Sequence, residues 1–156
     1  MALLLGNPGK AGGVGLIRNH HGEWACGYSR AIGHTTSVAA ELWALRNGIN
    51  LCVELNLPSA LIELDAKLVV ELLLKDEGSF NSNDTIMAGQ QKIQRTRVLH
   101  CYREANKCVD ALARRGALLS HDFVIFHSPP RDVSLLLSLD ADGTVYESKC
   151  SVVDVF

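Results

Sequence analysis

The sequence predicts an α/β fold whose strands and helices follow the order β-β-β-α-β-α-α-β-α. The runs 14–18 and 24–30 are strand-like, and the turn residues 20–23 lie between them. Farther on, apolar residues recur at three- and four-residue steps, which places them along one side of a helix. These residues are Val38, Leu42, Leu45, Ile49 and Val53. A chain of 156 residues fits one domain with a core large enough to fold unaided.

The first half of the chain supplies the first long helix and its neighbouring strands. Leu3–Leu5 forms only a short first strand, and the glycine-rich stretch 6–13 is a loop by composition. The adjacent histidines of the 20–23 turn are expected at an exposed hairpin tip. The helix runs from about Ser37 to Glu54, with hydroxyl residues suited to capping at its start, and it stops before Pro58.

In the second half, a strand over 59–65 is followed by a nearly apolar, buried helix over 68–74. A polar loop over 75–83 then leads to a helix that begins at Asn83 or Asp84 and continues to about Gln94. A strand over 96–103 and a last helix over 104–120 complete the pattern. The expected domain therefore covers residues 1–130.

The remaining segment, 131–156, is predicted to be an acidic C-terminal tail. Just before it, Phe123–Phe126 is expected to add either an edge strand or a clasp. Within it, Val133–Leu139 is expected to form a short helix, and Asp140–Gly143 resembles a turn. Up to Ser120 there are 13 basic against 11 acidic residues, whereas beyond it there are 2 against 6. Seven basic residues lie between Lys92 and Arg115, a cluster that suits phosphate contact or forms an ordinary solvated surface.

Composition narrows the cellular setting. Hydrophobic residues make up 47% and charged residues 21% of the chain, which is ordinary for a soluble globular protein. No run approaches the roughly 18 apolar residues of a membrane helix, and no secretion signal precedes the domain. We therefore expect no membrane association. The five cysteines are scattered and form no CxxC pair, so we expect reduced thiols. The expected location is the cytoplasm or nucleus.

Three carboxylates stand where a plain helix or strand does not require one. Glu41 borders the apolar stripe of the first helix, where it is either a solvated helix residue or a buried acid that needs a partner or metal. Asp65 ends a strand, a common place for chemistry in α/β folds, but it equally suits the N-cap of the next helix. Asp110 lies within the last helix, although aspartate is a poor helix former.

Four sequence blocks taken together resemble the ribonuclease H family, most closely the plant ribonuclease H-like domains that also occur in retroelement reverse-transcriptase genes. The blocks are Gly6-Asn7-Pro8-Gly9, Ala40-Glu41-Leu42-Trp43-Ala44-Leu45, Glu63-Leu64-Asp65-Ala66-Lys67 and the segment from Tyr102 to Ala113. They occur in the family's order and cover roughly residues 1–130.

The resemblance implies a mixed five-stranded sheet flanked by helices and cleavage of the RNA strand of an RNA–DNA hybrid. The family's acids correspond to Glu41, Asp65 and Asp110, which would bind two Mg²⁺ ions and act as catalytic residues. The nucleic acid would contact the residues that match the family's binding positions, and a monomer is expected. Those positions are Asn7, Thr36, Ser37, Lys67 and Asn106.

Two departures from the family pattern qualify this prediction. The family places a further aspartate five residues before the Gly-Asn-Pro-Gly turn, and in this chain that position is Met1. We therefore expect the chain to be N-terminally truncated, with most of the central first strand missing, marginal stability and impaired activity. The loop before Asp110 also lacks the histidine of many family members. The alternative is a catalytically inactive nucleic-acid-binding module or a retroelement relic.

Overall fold

A computed structural model of the protein describes residues 2–6, 8–74, 88–89, 91–101, 107–116, 123–141 and 154–155. The strands are β1 (Ala2–Gly6), β2 (Gly9–Asn19), β3 (Trp24–Thr35), β4 (Ser59–Leu64), β5 (Arg95–His100), β6 (Phe123–Phe126) and β7 (Asp154–Val155). The helices are α1 (Ser37–Glu54), α2 (Lys67–Leu74), α3 (Lys107–Gly116) and α4 (Arg131–Ala141).

Strands β2 and β3 form the predicted hairpin. Asn19 organises its turn, because its Oδ1 accepts hydrogen bonds from the backbone N–H groups of His21 at 3.0 Å and Glu23 at 2.9 Å. Gly22 adopts a positive φ of 79°, which the turn requires and glycine accepts without strain. Both histidines of the turn are exposed, which confirms the predicted hairpin tip.

Helix α1 has the predicted bounds. Thr36 is its N-cap, in an extended conformation, and its Oγ1 accepts a hydrogen bond from the Ala39 N–H at 3.4 Å. At the other end, Asn56 takes a positive φ of 54°, and the Leu57 N–H donates to the Cys52 carbonyl at 3.0 Å. Such a left-handed residue ends a helix by turning the chain out of the helical path.

The α/β architecture is confirmed, and the hydrogen bonding divides the described strands between two sheets. The larger sheet has the order β1-β2-β3-β6, all antiparallel, and β7 pairs in parallel with β2 at Arg18 and Asn19. Strands β4 and β5 form a separate parallel pair. The larger sheet is therefore five-stranded and mixed, as the fold class predicts, whereas β4 and β5 pair with each other and do not join it. The short β1 pairs along its whole length with β2, and no described strand bridges it to β4.

Two apolar clusters lie on opposite sides of the larger sheet. One packs α1, α2 and β4 against the sheet and contains Ile17, Tyr28 and Ile49. In this cluster a Cβ on Gly15 would lie 2.6 Å from the Tyr28 ring, so only glycine fits there. The second cluster packs α3 and α4 against the other side and contains Val14 and Leu112.

The C-terminal part shows more order than a loose tail. Phe123–Phe126 pairs with β3 as an edge strand. Helix α4 extends through Ala141, so Asp140 and Ala141 are helical and do not begin the predicted turn. Val133 of α4 is fully buried in the second cluster. The division at residue 130 stays a prediction.

Several other predictions have mixed outcomes. Residues 88–89 and 91–92 are helical, as the pattern over 84–94 predicts, while the loop over 75–83 and the tail after 141 lie largely outside the described residues. Strand β5 ends at His100, earlier than predicted. Cys26, Cys52 and Cys108 are free thiols, but Cys101 is disulfide-bonded, so the expectation of five reduced cysteines is wrong. No helix in the described ranges has the length and apolarity needed to cross a membrane.

Candidate active site

Glu41 is a buried carboxylate at the contact between α1 and β1. Its side chain is 8% exposed, and its Oε1 accepts a hydrogen bond from the backbone N–H of Ala2 at 2.7 Å. The interpretation as a solvated helix glutamate is therefore wrong. A carboxylate at this depth requires compensating partners, and the Ala2 N–H is one of them.

Asp65 directly follows β4, and its carboxylate is incompletely paired. Its Oδ1 is buried and has no hydrogen-bond partner among the described residues. The Ala66 carbonyl accepts the Val69 N–H at 2.9 Å and the Val70 N–H at 3.1 Å, and no hydrogen bond within the described part of the chain makes Asp65 the cap of α2. The capping interpretation therefore fails. A buried acceptor without a donor is costly, and a cation beside it would remove that cost.

Asp110 is in the first turn of the described helix α3 and is half-buried. The sequence pattern placed it in the middle of a longer helix, where an aspartate is unfavourable. Near a helix N-terminus, a carboxylate is stabilised by the helix dipole and by the unpaired N–H groups. Its position therefore has a structural explanation in addition to any chemical role.

The three acids come from elements on different sides of the fold. Glu41 is on α1 and Asp110 on α3, which pack against opposite faces of the larger sheet, while Asp65 follows the β4–β5 pair. Among the described residues, no group of three His, Cys, Asp or Glu side chains is close enough to hold a metal ion. The donor chemistry, all carboxylate oxygen, nevertheless suits Mg²⁺.

Only three of the five predicted nucleic-acid contacts lie within the described residues. Thr36 and Ser37 are exposed at the start of α1. Lys67 begins α2 with its side chain 76% exposed, and its Nζ lies 3.9 Å from the Oε1 of Glu71. Asn7 and Asn106 lie outside the described residues.

A small cavity between β2 and β4 is separate from these acids. Its volume of about 30 Å³ has room for one or two water molecules at most. Apolar side chains line most of it, and Glu63 is its one charged lining residue. Glu63 was not among the predicted site residues. It lies two residues before Asp65, and the alternation of side chains along β4 could have indicated that it is a further acid near this position.

Comparison with known proteins identifies the family. Residues 3–116 match the family model described as reverse transcriptase-like. A protein of Arabidopsis thaliana whose name assigns it provisionally to ribonuclease H is 34% identical over 143 residues, which is 89% of this chain. The chain belongs to the ribonuclease H family. It spans 23% of the length of the Arabidopsis relative.

Solved ribonuclease H structures share the fold. The N-terminal RNase H domain of a Mycobacterium tuberculosis protein, solved as a fusion with maltose-binding protein, has a TM-score of 0.67 and 26% identity, covering 74% of this chain and 87% of that one. RNase H1 of the archaeon Halobacterium salinarum has a TM-score of 0.65 at 20% identity, covering 74% of this chain and 92% of that chain.

The family match includes all three candidate acids and ends at the last residue of α3. Helix α4 and strands β6 and β7 lie beyond it. The ribonuclease H portion of the chain therefore coincides with the elements that carry Glu41, Asp65 and Asp110. The exposed Trp43 and the half-buried Arg46 of α1 were not among the predicted contacts, although they are about one helical turn apart in sequence.

Proposed function

We propose that this chain provides the catalytic domain of a magnesium-dependent endonuclease that cleaves the RNA strand of RNA–DNA hybrids. The observation that carries the proposal is the Oδ1 of Asp65, which is buried and has no hydrogen-bond partner in the described part of this ribonuclease H family chain. Glu41, Asp65 and Asp110 are the proposed magnesium ligands and catalytic residues. The cytoplasm or the nucleus is the proposed place of action.

The carboxylates are proposed to bind the magnesium ions and to fix their positions. Glu41 is already held by its hydrogen bond from Ala2, which limits the orientations of its carboxylate. Asp65 offers an oxygen that accepts no hydrogen bond from any described residue. Bound magnesium would supply positive charge to the attacking and leaving oxygens of a phosphodiester.

The nucleic acid is proposed to contact the exposed start of α1 and the nearby α2. Thr36 and Ser37 lie at a helix N-terminus, where backbone N–H groups and the helix dipole favour phosphate. The exposed Lys67 adds a positive charge. Asn7 and Asn106 are further proposed contacts, and recognition of a 2′-hydroxyl would select RNA over DNA.

A second candidate function is a catalytically inactive module of the same fold that binds nucleic acid without cutting it. The observation in its favour is that no three described side chains are close enough to hold a metal. Under this alternative, Glu41 and Asp110 have structural roles, since one is bonded to Ala2 and the other stands at a helix N-terminus.

Magnesium titration of the purified chain by calorimetry separates these functions. We expect saturable Mg²⁺ binding that Asp65→Asn weakens at least about tenfold, because even second-shell changes cost that much. Glu54→Gln is the matched control, since Glu54 is an exposed carboxylate on the same helix as Glu41. The folded state of each variant is checked by circular dichroism.

A labelled RNA–DNA hybrid then distinguishes an active from an inactive site. Cleavage by the wild type that is lost in Glu41→Gln, Asp65→Asn and Asp110→Asn supports the nuclease. Magnesium binding without cleavage supports the inactive module. Absence of carboxylate-dependent binding removes the case for a metal site in this chain.

A further inference from the structure

A basic and aromatic surface lies on the outer side of α1, away from the candidate acids. We call it the Trp43 patch; it comprises Trp43 and Arg46 of α1, Arg30 of β3 and Phe123 of β6. Trp43 is 38% exposed and Phe123 is 41% exposed. Exposed apolar side chains that form one patch rimmed by charged groups often mark an interaction site.

The two arginines are held against the rings. The Arg30 Cζ lies 5.3 Å from the centroid of the Trp43 ring and 6.0 Å from that of Phe123, and the Arg46 Cζ lies 4.9 Å from the Trp43 centroid. These separations are within the range of cation–π contacts. The Arg30 Nη1 also donates to the Asn47 Oδ1 at 3.0 Å, so this guanidinium has a fixed position.

Among the described residues, no carboxylate neutralises the positive charge of the patch. The ion pairs in the described part of the chain join Lys67 to Glu71 and Arg115 to Asp132, and no carboxylate within 4.0 Å is recorded there for Arg30 or Arg46. Two neighbouring guanidinium groups without a carboxylate favour an anionic ligand. Arginine also offers donors in a planar arrangement that matches a phosphate.

The patch is distinct from the candidate active site. Trp43 follows Glu41 by two residues, which turns it by about 200° around the helix axis at 3.6 residues per turn. Glu41 is accordingly buried against β1, whereas Trp43 is exposed. A ligand on the patch therefore lies on the opposite side of α1 from the Glu41 carboxylate.

We infer that the Trp43 patch binds single-stranded nucleic acid. Its exposed rings and guanidinium planes can stack on unpaired bases, and its charges can contact the phosphates that accompany each base. A duplex keeps its bases stacked inside and offers only phosphates to these rings. An acidic protein segment offers charge but lacks the regular aromatic planes, so a single strand uses more of the patch.

The inference is independent of the proposed nuclease and is tested without magnesium. Fluorescence anisotropy of a labelled oligothymidylate of about 12 nucleotides, within the usual range of single-strand site sizes, is measured against the full chain in a chelator. We expect binding that Trp43→Leu weakens about tenfold through lost stacking. Trp43→Phe should retain most of the affinity, because an aromatic ring remains.

The charge contribution has its own variant and control. Arg46→Gln should weaken binding and reduce the dependence of log Kd on log salt by about one phosphate contact. Arg131→Gln removes the same charge from an exposed position on α4 and should leave the Kd unchanged. Arg30 is kept, because its loss would also break the bond to Asn47.

Three results would overturn the inference. They are no binding of the oligonucleotide by the wild type, equal binding by Trp43→Leu, and self-association in sedimentation that Trp43→Leu abolishes, which would make the patch a contact between two copies. Failure of the metal site leaves this binding intact, since magnesium is absent. The two proposals can therefore fail separately.

Discussion

Burial changes the chemistry of two thiols in the core. Cys26 and Cys52 lie in the apolar cluster beneath α1. Loss of hydration raises the pKa of Cys26 to about 11, and that of Cys52 to about 12 with a smaller contribution from the neighbouring Cys26. Both thiols therefore stay neutral at physiological pH and are poor nucleophiles, which excludes them as catalytic candidates.

The raised thiol pKa values predict a loss of stability in alkali. The unfolded chain releases these protons above pH 9, while the folded chain retains them to about pH 11–12, so stability decreases as pH rises through this window. Urea unfolding of wild type and Cys52→Ala at pH 8 to 12 should show a shallower decrease in the variant, by on the order of 1 kcal/mol per pKa unit removed. Burial also raises the pKa of Tyr28, with a smaller contribution from Cys52, so the substitution reduces the Tyr28 effect in the same direction. Parallel curves would contradict the prediction.

For individual residues, the sequence predicted which side chains are candidates better than it predicted the contacts that they make. Spacing placed Glu41 beside the apolar stripe, but its bond to Ala2 joins residues 39 positions apart, which no local pattern encodes. Asp65 was equally compatible with capping, and its missing hydrogen bonds decide against that interpretation. The Trp43 patch joins three elements, so local spacing indicates only Trp43 and Arg46.

Helix α4 lies beyond the residues of the family match, and two kinds of interaction hold it against α3. Its Asp132 accepts a hydrogen bond from Arg115 of α3 at 3.0 Å, and this contact holds the pKa of Asp132 below its usual value. Both side chains are 48% exposed, so solvent screening leaves a small contribution to stability. Val133 is fully buried, and apolar contact therefore dominates the docking.

This arrangement predicts unequal effects for neighbouring substitutions on α4. Val133→Ala should lower the free energy of unfolding by about 1.5–3 kcal/mol, because it removes buried methyl groups and leaves a cavity. Leu135→Ala, at a position that is 69% exposed, is the control and should change it by less than about 0.5 kcal/mol. Chemical denaturation of the full chain measures both. Equal, small effects would show that α4 is a separate tail, as the 1–130 boundary assumed.

Elements were predicted more reliably than their pairing. The bounds of α1 could be predicted because its stripe, cap and terminating residues all lie within 20 or so positions. Strand partners are non-local, so the parallel β4–β5 pair and the division between two sheets had no sequence signal. The low stability that we expected from an incomplete first strand stays a prediction.

At the scale of the whole molecule, the apolar core holds the two sheets together, since no hydrogen bonds join their described strands. The cluster beneath α1 includes Ile17 and Tyr28 from the larger sheet and Ile62 from β4. Ile49 of α1, only 1% exposed, belongs to the same cluster. Side-chain packing therefore connects two sheets that the described hydrogen bonds leave separate.

The last prediction is that the two sheets unfold together. Ile49→Ala should cost about 2–5 kcal/mol by loss of buried surface and creation of a cavity. Amide hydrogen exchange in the β2–β3 ladder and in the β4–β5 pair should accelerate by the same factor, because slow exchange in a cooperative unit reports one global opening. Leu55→Ala, at a 44% exposed position just after the same helix, is the control and should alter neither. Acceleration confined to β4–β5 would show instead that this pair opens on its own and that the core under α1 does not couple the sheets.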